Sequence, residues 1–236
     1  MKKRDFIKRV TLSAFAFPLM SRCIDGEDSQ SIIDEDGTDS SDTAGDCILT
    51  NSETAGPYPT HSPGSLLRED ITGGRTGIPL DVEITVLNNS QSCLPIENAR
   101  VDIWHCDKDG NYSEYGSYTS ASFLRGRQVT DENGKVAFTT IFPGWYNGRS
   151  THIHVHIYNE SGTSLLVTQI AFPEGSNSAV VQVNASTENG YTKGMNGYTY
   201  NSQDNVFSDG VSNELSNISG SVSSGFNLTH SIVVKA

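Results

Sequence analysis

LRGRQVTDENGKVAFTTIFPGWYNGRSTHIHVHI, residues 124–157, decides the fold and holds most of the chemistry. His152, His154 and His156 alternate in it with Ile153, Val155 and Ile157. A period of two is that of a β-strand, so the histidines share one face and the branched apolar side chains take the other. Upstream, Asp131-Glu132-Asn133-Gly134 reads as a turn, because Asn and Gly tolerate positive φ, and Lys135–Thr140 follows it as a strand. Tyr146, Arg149, His152 and His154 fall within nine residues. Two same-face imidazoles can reach one metal ion, with the phenol and the guanidinium brought in by the preceding turn. A solvated strand face or a packed histidine cluster is the plainer explanation for a lone histidine. Three of them, just after a Tyr and an Arg, favour a metal.

The rest of the chain repeats the strand signal. Leu80–Asn88 alternates, and Ala99–Cys106 sets Val101, Ile103 and His105 against Asp102, Trp104 and Cys106. Further strands are expected at Thr151–Tyr158, Leu165–Phe172, Ala179–Val183 and Thr229–Val234. No long segment repeats apolar residues at intervals of three and four, and no internal repeat is evident. Residues 191–225 are polar and rich in Asn, Ser and Gly, and read as long surface loops with Asp204-Asn205-Val206-Phe207 as an anchor. Short strands between Gly-rich turns predict an all-β chain, an antiparallel β-sandwich with long surface loops.

The first 46 residues stand apart. Lys2, Lys3, Arg4, Lys8 and Arg9 precede a largely apolar run from Val10 to Met20, too short to span a bilayer and expected to be an export signal over residues 1–22. Lys3-Arg4-Asp5-Phe6-Ile7-Lys8 resembles a twin-arginine signal with Lys in place of the first Arg. Cys23 after the apolar run, followed by a polar tether, resembles a bacterial lipoprotein and makes a lipid anchor one expectation, although Arg22 departs from the usual small residue. Residues 24–46 hold nine acidic groups and little to bury, so 23–46 are expected to be a disordered acidic linker. Residues 47–236 are then the folded domain, with 18 acidic and 10 basic residues, a formal charge of −8. No basic stripe remains for a nucleic-acid backbone. The export route permits disulfides among Cys47, Cys93 and Cys106. Cys93–Cys106 is the preferred pair because the two bracket a short turn and strand, and Cys47 could displace either.

The donor set narrows the metal. Imidazoles with oxygen ligands suit first-row ions, and zinc sites draw on His, Cys, Asp or Glu. No carboxylate accompanies this histidine pair; the nearby oxygens are phenols. A phenol ionises near pH ~10 and is a poor zinc ligand at neutrality, whereas ferric iron stabilises phenolate as bound cations invert ordinary acidity. Tyr112, in the turn Asp107-Lys108-Asp109-Gly110-Asn111-Tyr112, can supply a second phenol, with Tyr115 and Tyr118 as rivals. A zinc or copper enzyme, or a secreted β-sandwich binding or adhesion module that merely keeps the motif, are the alternatives.

Several blocks together resemble the intradiol ring-cleavage dioxygenases, especially exported relatives of the protocatechuate and catechol enzymes. They are CILTNSETAGPY at 47–58, IPL at 78–80, NARVDIWHCDKDGNYS at 98–113, FLRGRQVTDENG at 123–134, TIFPGWYNGRSTHIHV at 140–155, TQ at 168–169 and DNVF at 204–207. Thr151 stands where the family has Pro, and Asn147-Gly148 replaces a longer insert of some relatives. The resemblance implies Fe(III) held by Tyr112, Tyr146, His152 and His154, choosing Tyr112 over its rivals. It implies Tyr146 as both ligand and base, Arg149 as a fixed positive charge and Gln169 as the active-site glutamine. Tyr58 would wall the pocket. His156, about 6.6 Å beyond His154 along an extended strand, is left to packing. The implied reaction is cleavage of a catechol-type diol by O₂ to a cis,cis-muconate-type diacid. Ring substituents and oligomeric state are left open.

Overall fold

The structure is a computed structural model that describes residues 47–236. The expected export signal, the expected lipid attachment at Cys23 and the expected acidic linker lie outside the described residues.

Nine strands and one α-helix make up the regular structure of the described residues, with short 3₁₀ turns between them. In chain order these are β1 (Pro79–Asn88), β2 (Leu94–Pro95), β3 (Arg100–Trp104), β4 (Arg125–Val129) and β5 (Lys135–Ile141). Then come β6 (His152–Tyr158), β7 (Ser164–Ala171), α1 (Ala179–Asn184), β8 (Asn217–Ser221) and β9 (Gly225–Val234). One sheet runs β4-β3-β6-β7, antiparallel throughout. In the other, β1 is central, with β9 and then β8 on one side and β5 and β2 on the other.

The two sheets close on one apolar core. Val101 and Ile103 of β3, Ile153, Val155 and Ile157 of β6, and Ile170 of β7 are fully buried from one side. Leu80, Val82, Ile84 and Val86 of β1, Phe138 of β5 and Leu228 and Ile232 of β9 meet them from the other. Each such side chain contributes about 1.5–3 kcal/mol. The sandwich is therefore the expected one, and the core face of β6 is the one read from its alternation.

Four details differ from the sequence reading. β1 and β9 pair in parallel, Leu80 opposite Phe226 through Asn88 opposite Val234; the long connection before β9 gives the chain the crossover that parallel neighbours need. Ala179–Val183 is helical, because Ser178 caps Val181 N–H and Val180 and Val183, three residues apart, fall on one buried face. β8 emerges inside the stretch expected to be loops, where Tyr191 and Tyr198 are also core residues. β4 lies outside the expected strands, its sequence, Arg-Gly-Arg-Gln-Val, carrying almost no apolar signal.

The disulfide is Cys47–Cys93, and Cys106 is a buried free thiol. The preferred Cys93–Cys106 pairing fails because β3 carries the chain away from the Cys93 turn at about 3.3 Å per residue. Cys106 ends among Trp104 and Tyr112 instead.

Candidate metal centre

The face of β6 turned away from the core builds the site. Register sets Trp104 of β3 on one side of His154 and Gln169 of β7 on the other. The Trp104 ring stacks on the His154 imidazole at 4.8 Å with an interplanar angle of 1°. His152 and His154 are both buried, and their Nε2 atoms lie 3.2 Å apart. Tyr112 Oη is 3.3 Å from His152 Nε2.

Two turns bring in the phenols. Gly110, at φ +87°, closes the turn before Tyr112, and a Cβ there would lie 2.8 Å from Trp145 O and 3.2 Å from Tyr146 Cβ. Only glycine lets the Tyr112 loop pack so closely on the Tyr146 loop. Gly148, at φ +83°, bends the chain so that Arg149 N–H bonds Tyr146 O at 3.1 Å. Tyr146 thus stands beside the histidines, its ring 5.8 Å from Tyr112 and 5.8 Å from His152.

The protonation pattern suits a metal. His152 Nδ1 sits 2.6 Å from Ser150 O, so Nδ1 carries the proton and Nε2 offers a lone pair. Burial, then the Arg149 charge, pushes His152 down to about 3. Burial, then His152, pushes His154 well below the usual imidazole value. Both rings are neutral at ordinary pH. Burial raises the Tyr112 phenol well above its ordinary value and raises Tyr146 as well. His152 Nε2, His154 Nε2 and Tyr112 Oη converge, with the Tyr146 ring beside them and no carboxylate among them. Such a set fits a cation acidic enough to ionise phenols.

Arg149 is fixed by three partners. Its Nε donates to Asp204 Oδ1 and Oδ2 at 2.9 and 2.8 Å, and Nη2 donates to Gln169 Oε1 at 2.5 Å. Nη1 lies 3.4 Å from His152 Nε2. Gln169 Nε2 in turn donates to Thr54 O at 2.8 Å. Asp204 is buried; burial works against its charge, but Ser150 N–H and the Arg149 guanidinium outweigh it and hold the carboxyl below its ordinary value. An exposed surface ion pair is therefore not what Arg149 makes.

The structure brings Tyr112, Tyr146, Arg149, His152, His154 and Gln169 together. Tyr58 stacks on Tyr112 at 4.7 Å. The rivals turn elsewhere: Tyr115 Oη donates to Pro59 O, and Tyr118 packs on Phe123 and Arg75. His156 stacks on Tyr158 at 3.9 Å and faces Ser164, outside the cluster. Sequence reasoning treated Asp204 only as a loop anchor and gave Trp104 no role. The signal for Trp104 was present, since alternation along β3 puts it on the face opposite Val101 and Ile103.

A family model described as dioxygenase matches residues 56–197. The chain is 31% identical over 137 residues to a chlorocatechol 1,2-dioxygenase of Rhodococcus opacus, covering 49% of this chain and 51% of that protein. It is 32% identical over 123 residues to a protocatechuate 3,4-dioxygenase beta chain of Burkholderia cepacia, covering 45% and 52%. The match thus spans about half the length of these curated relatives. Among solved structures, an intradiol ring-cleavage dioxygenase from Tetranychus urticae superposes with a TM-score of 0.71 at 30% identity, covering 80% of this chain and 95% of that one. With its sandwich, its family-model match and this relative, the chain belongs to the intradiol ring-cleavage dioxygenase family.

Proposed function

We propose that the chain is an Fe(III)-dependent enzyme that uses O₂ to cleave a catechol-type ring between its two hydroxylated carbons. The product is a cis,cis-muconate-type diacid that keeps both oxygen atoms of O₂. The carrying observation is the convergence of His152 Nε2, His154 Nε2 and Tyr112 Oη under the Arg149 guanidinium. Tyr112, Tyr146, His152 and His154 would hold the metal. Ferric iron held there would withdraw electron density from a catecholate and so open its ring carbons to O₂.

The side chains divide the remaining work. Tyr146 is less buried than Tyr112, so its phenolate is the one exposed to an arriving diol and able to take a hydroxyl proton at Oη. Arg149 is anchored by Asp204 and is aimed at the same place before any substrate arrives. Preorganised charge of this kind is worth most where negative charge develops. Gln169 holds Nη2 of Arg149 in place, and Tyr58, stacked on Tyr112, forms an aromatic wall for a flat ring. Oxygen uptake with a panel of catechols, and identification of the product, tests the reading. A diacid with both O₂ oxygens supports it; extradiol products, or no uptake with any catechol by iron-loaded protein, overturn it.

For the cell, the reading is an exported protein, periplasmic or extracellular, with residues 1–46 serving export and tethering, including a lipid anchor at Cys23. The Cys47–Cys93 disulfide supports an oxidising compartment. A chain starting at Asp46 should fold and turn over a catechol as the full chain does. Failure to fold under oxidising conditions would move the boundary.

A further inference from the structure

We propose that Glu53, Asp209 and Glu214 form a binding site for a hard divalent cation of the calcium class, apart from the histidine–tyrosine centre and independent of the iron reading. One carboxylate oxygen from each lies within 4.8 Å of the others. Oxygens on opposite sides of one Ca²⁺, each bound at 2.3–2.6 Å, stand about 5 Å apart, so all three can reach a single ion. Glu214 is fully buried, Glu53 half-buried and Asp209 exposed, which leaves one side open to water ligands.

Glu214 is the telling residue. Its Oε1 accepts from Thr168 Oγ1 at 3.2 Å, while Oε2 is buried with no hydrogen-bond partner. An unpartnered buried carboxylate oxygen is costly unless a cation or a proton takes it. Burial, then the Glu53 carboxylate, pushes Glu214 up to about 8, and Asp209 adds to the crowding. Among the described residues none of the three forms an ion pair. Arg149 acts on Glu53 from a distance, with its own guanidinium committed to Asp204 and Gln169.

The backbone holds these groups in place. Both segments dock on the outer edge of β7: Glu53 N–H bonds Val167 O at 2.8 Å, and Ala171 N–H bonds Glu214 O at 2.9 Å. Asn51 Nδ2 donates to Asp209 Oδ2 at 3.0 Å, tying the loop to the chain before Glu53. A cation there would fasten the segment that continues into Thr54, whose carbonyl accepts from Gln169.

The test is the melting temperature of the full chain in metal-depleted buffer as CaCl₂ is added, against NaCl at matched ionic strength. A saturable rise is expected, half-complete in the range of about 0.1–1 mM. Glu214→Gln and Asp209→Asn should each weaken it at least roughly fivefold. Asp209 is exposed, so its variant decides the question even if Glu214→Gln does not fold. A rise no larger than that with NaCl, a response to pH alone as from carboxyls sharing a proton, or a smaller weakening in Asp209→Asn would overturn the site.

Discussion

Arg149 spends its guanidinium on Asp204, Gln169 and the edge of His152, and little of it is left to wander. An arginine so held can act as charge without reorganising when substrate arrives. Arg149→Ala should keep the iron and its colour while losing turnover by roughly 10²–10³, the effect of removing one preorganised contact. Asp204→Asn leaves the same charge in place without its anchor. It should also keep the iron, lower turnover and destabilise the fold by about 3–5 kcal/mol, because it strands one partner of a buried pair. Steady-state rates, iron content and urea unfolding on the two variants check both effects. An Arg149→Ala rate within about threefold of the parent would remove the electrostatic role. Arg149 was legible from its place between the turn and the histidines. Asp204 was not: its role exists only once a distant loop folds back beneath Ser150.

At the scale of elements, β6 was the clearest signal in the chain because its alternation is strict and both faces matter. α1 and β8 were misread for a shared reason. A short apolar run such as AVVQV fits either period, and a polar edge strand such as NISGS fits none, so tertiary contacts decide. β3 shows how an element's end can serve the fold and border the site at once. Just past it, His105 is buried with Nδ1 2.8 Å from Cys106 O and Nε2 2.8 Å from Thr140 Oγ1 of β5. Burial pushes His105 down to about 4. A histidine with a lowered folded value stays neutral in the native state while its unfolded counterpart takes a proton. Its stabilising contribution is therefore present above pH ~6.5 and lost as pH falls from there toward 4. Between pH 7 and pH 5 the loss is about 2 kcal/mol, so the cost of His105→Gln should shrink by about that much. Urea unfolding of parent and variant at both pH values measures it; a cost that does not change with pH would contradict the burial argument.

For the molecule as a whole, the sandwich followed from strand periods, but what ties its pieces together did not. The Cys47–Cys93 link depends on where the first described residue meets the turn after β1, and no spacing rule supplies that. The bridge closes a separation of 46 residues, worth about 4 kcal/mol by chain entropy. Cys93→Ser should lose stability on that order, with Cys106→Ser losing far less. Equal losses in denaturant unfolding would show that the bridge is not what secures the N-terminal segment. The candidate metal centre divides in the same way. Tyr146, His152 and His154 are near neighbours in sequence and could be read from it. Tyr112 stands out from Tyr115 and Tyr118 in sequence only by family resemblance, and in the fold by the turn at Gly110 that brings it to His152.

The proposed centre is one ferric ion between two histidines and two tyrosines. Protein purified without added metal should contain about one iron per chain with a broad visible phenolate-to-iron band, and replacing both His152 and His154 with Ala should abolish both. Zinc at full occupancy in the parent, or iron retained by the double variant, would contradict the account.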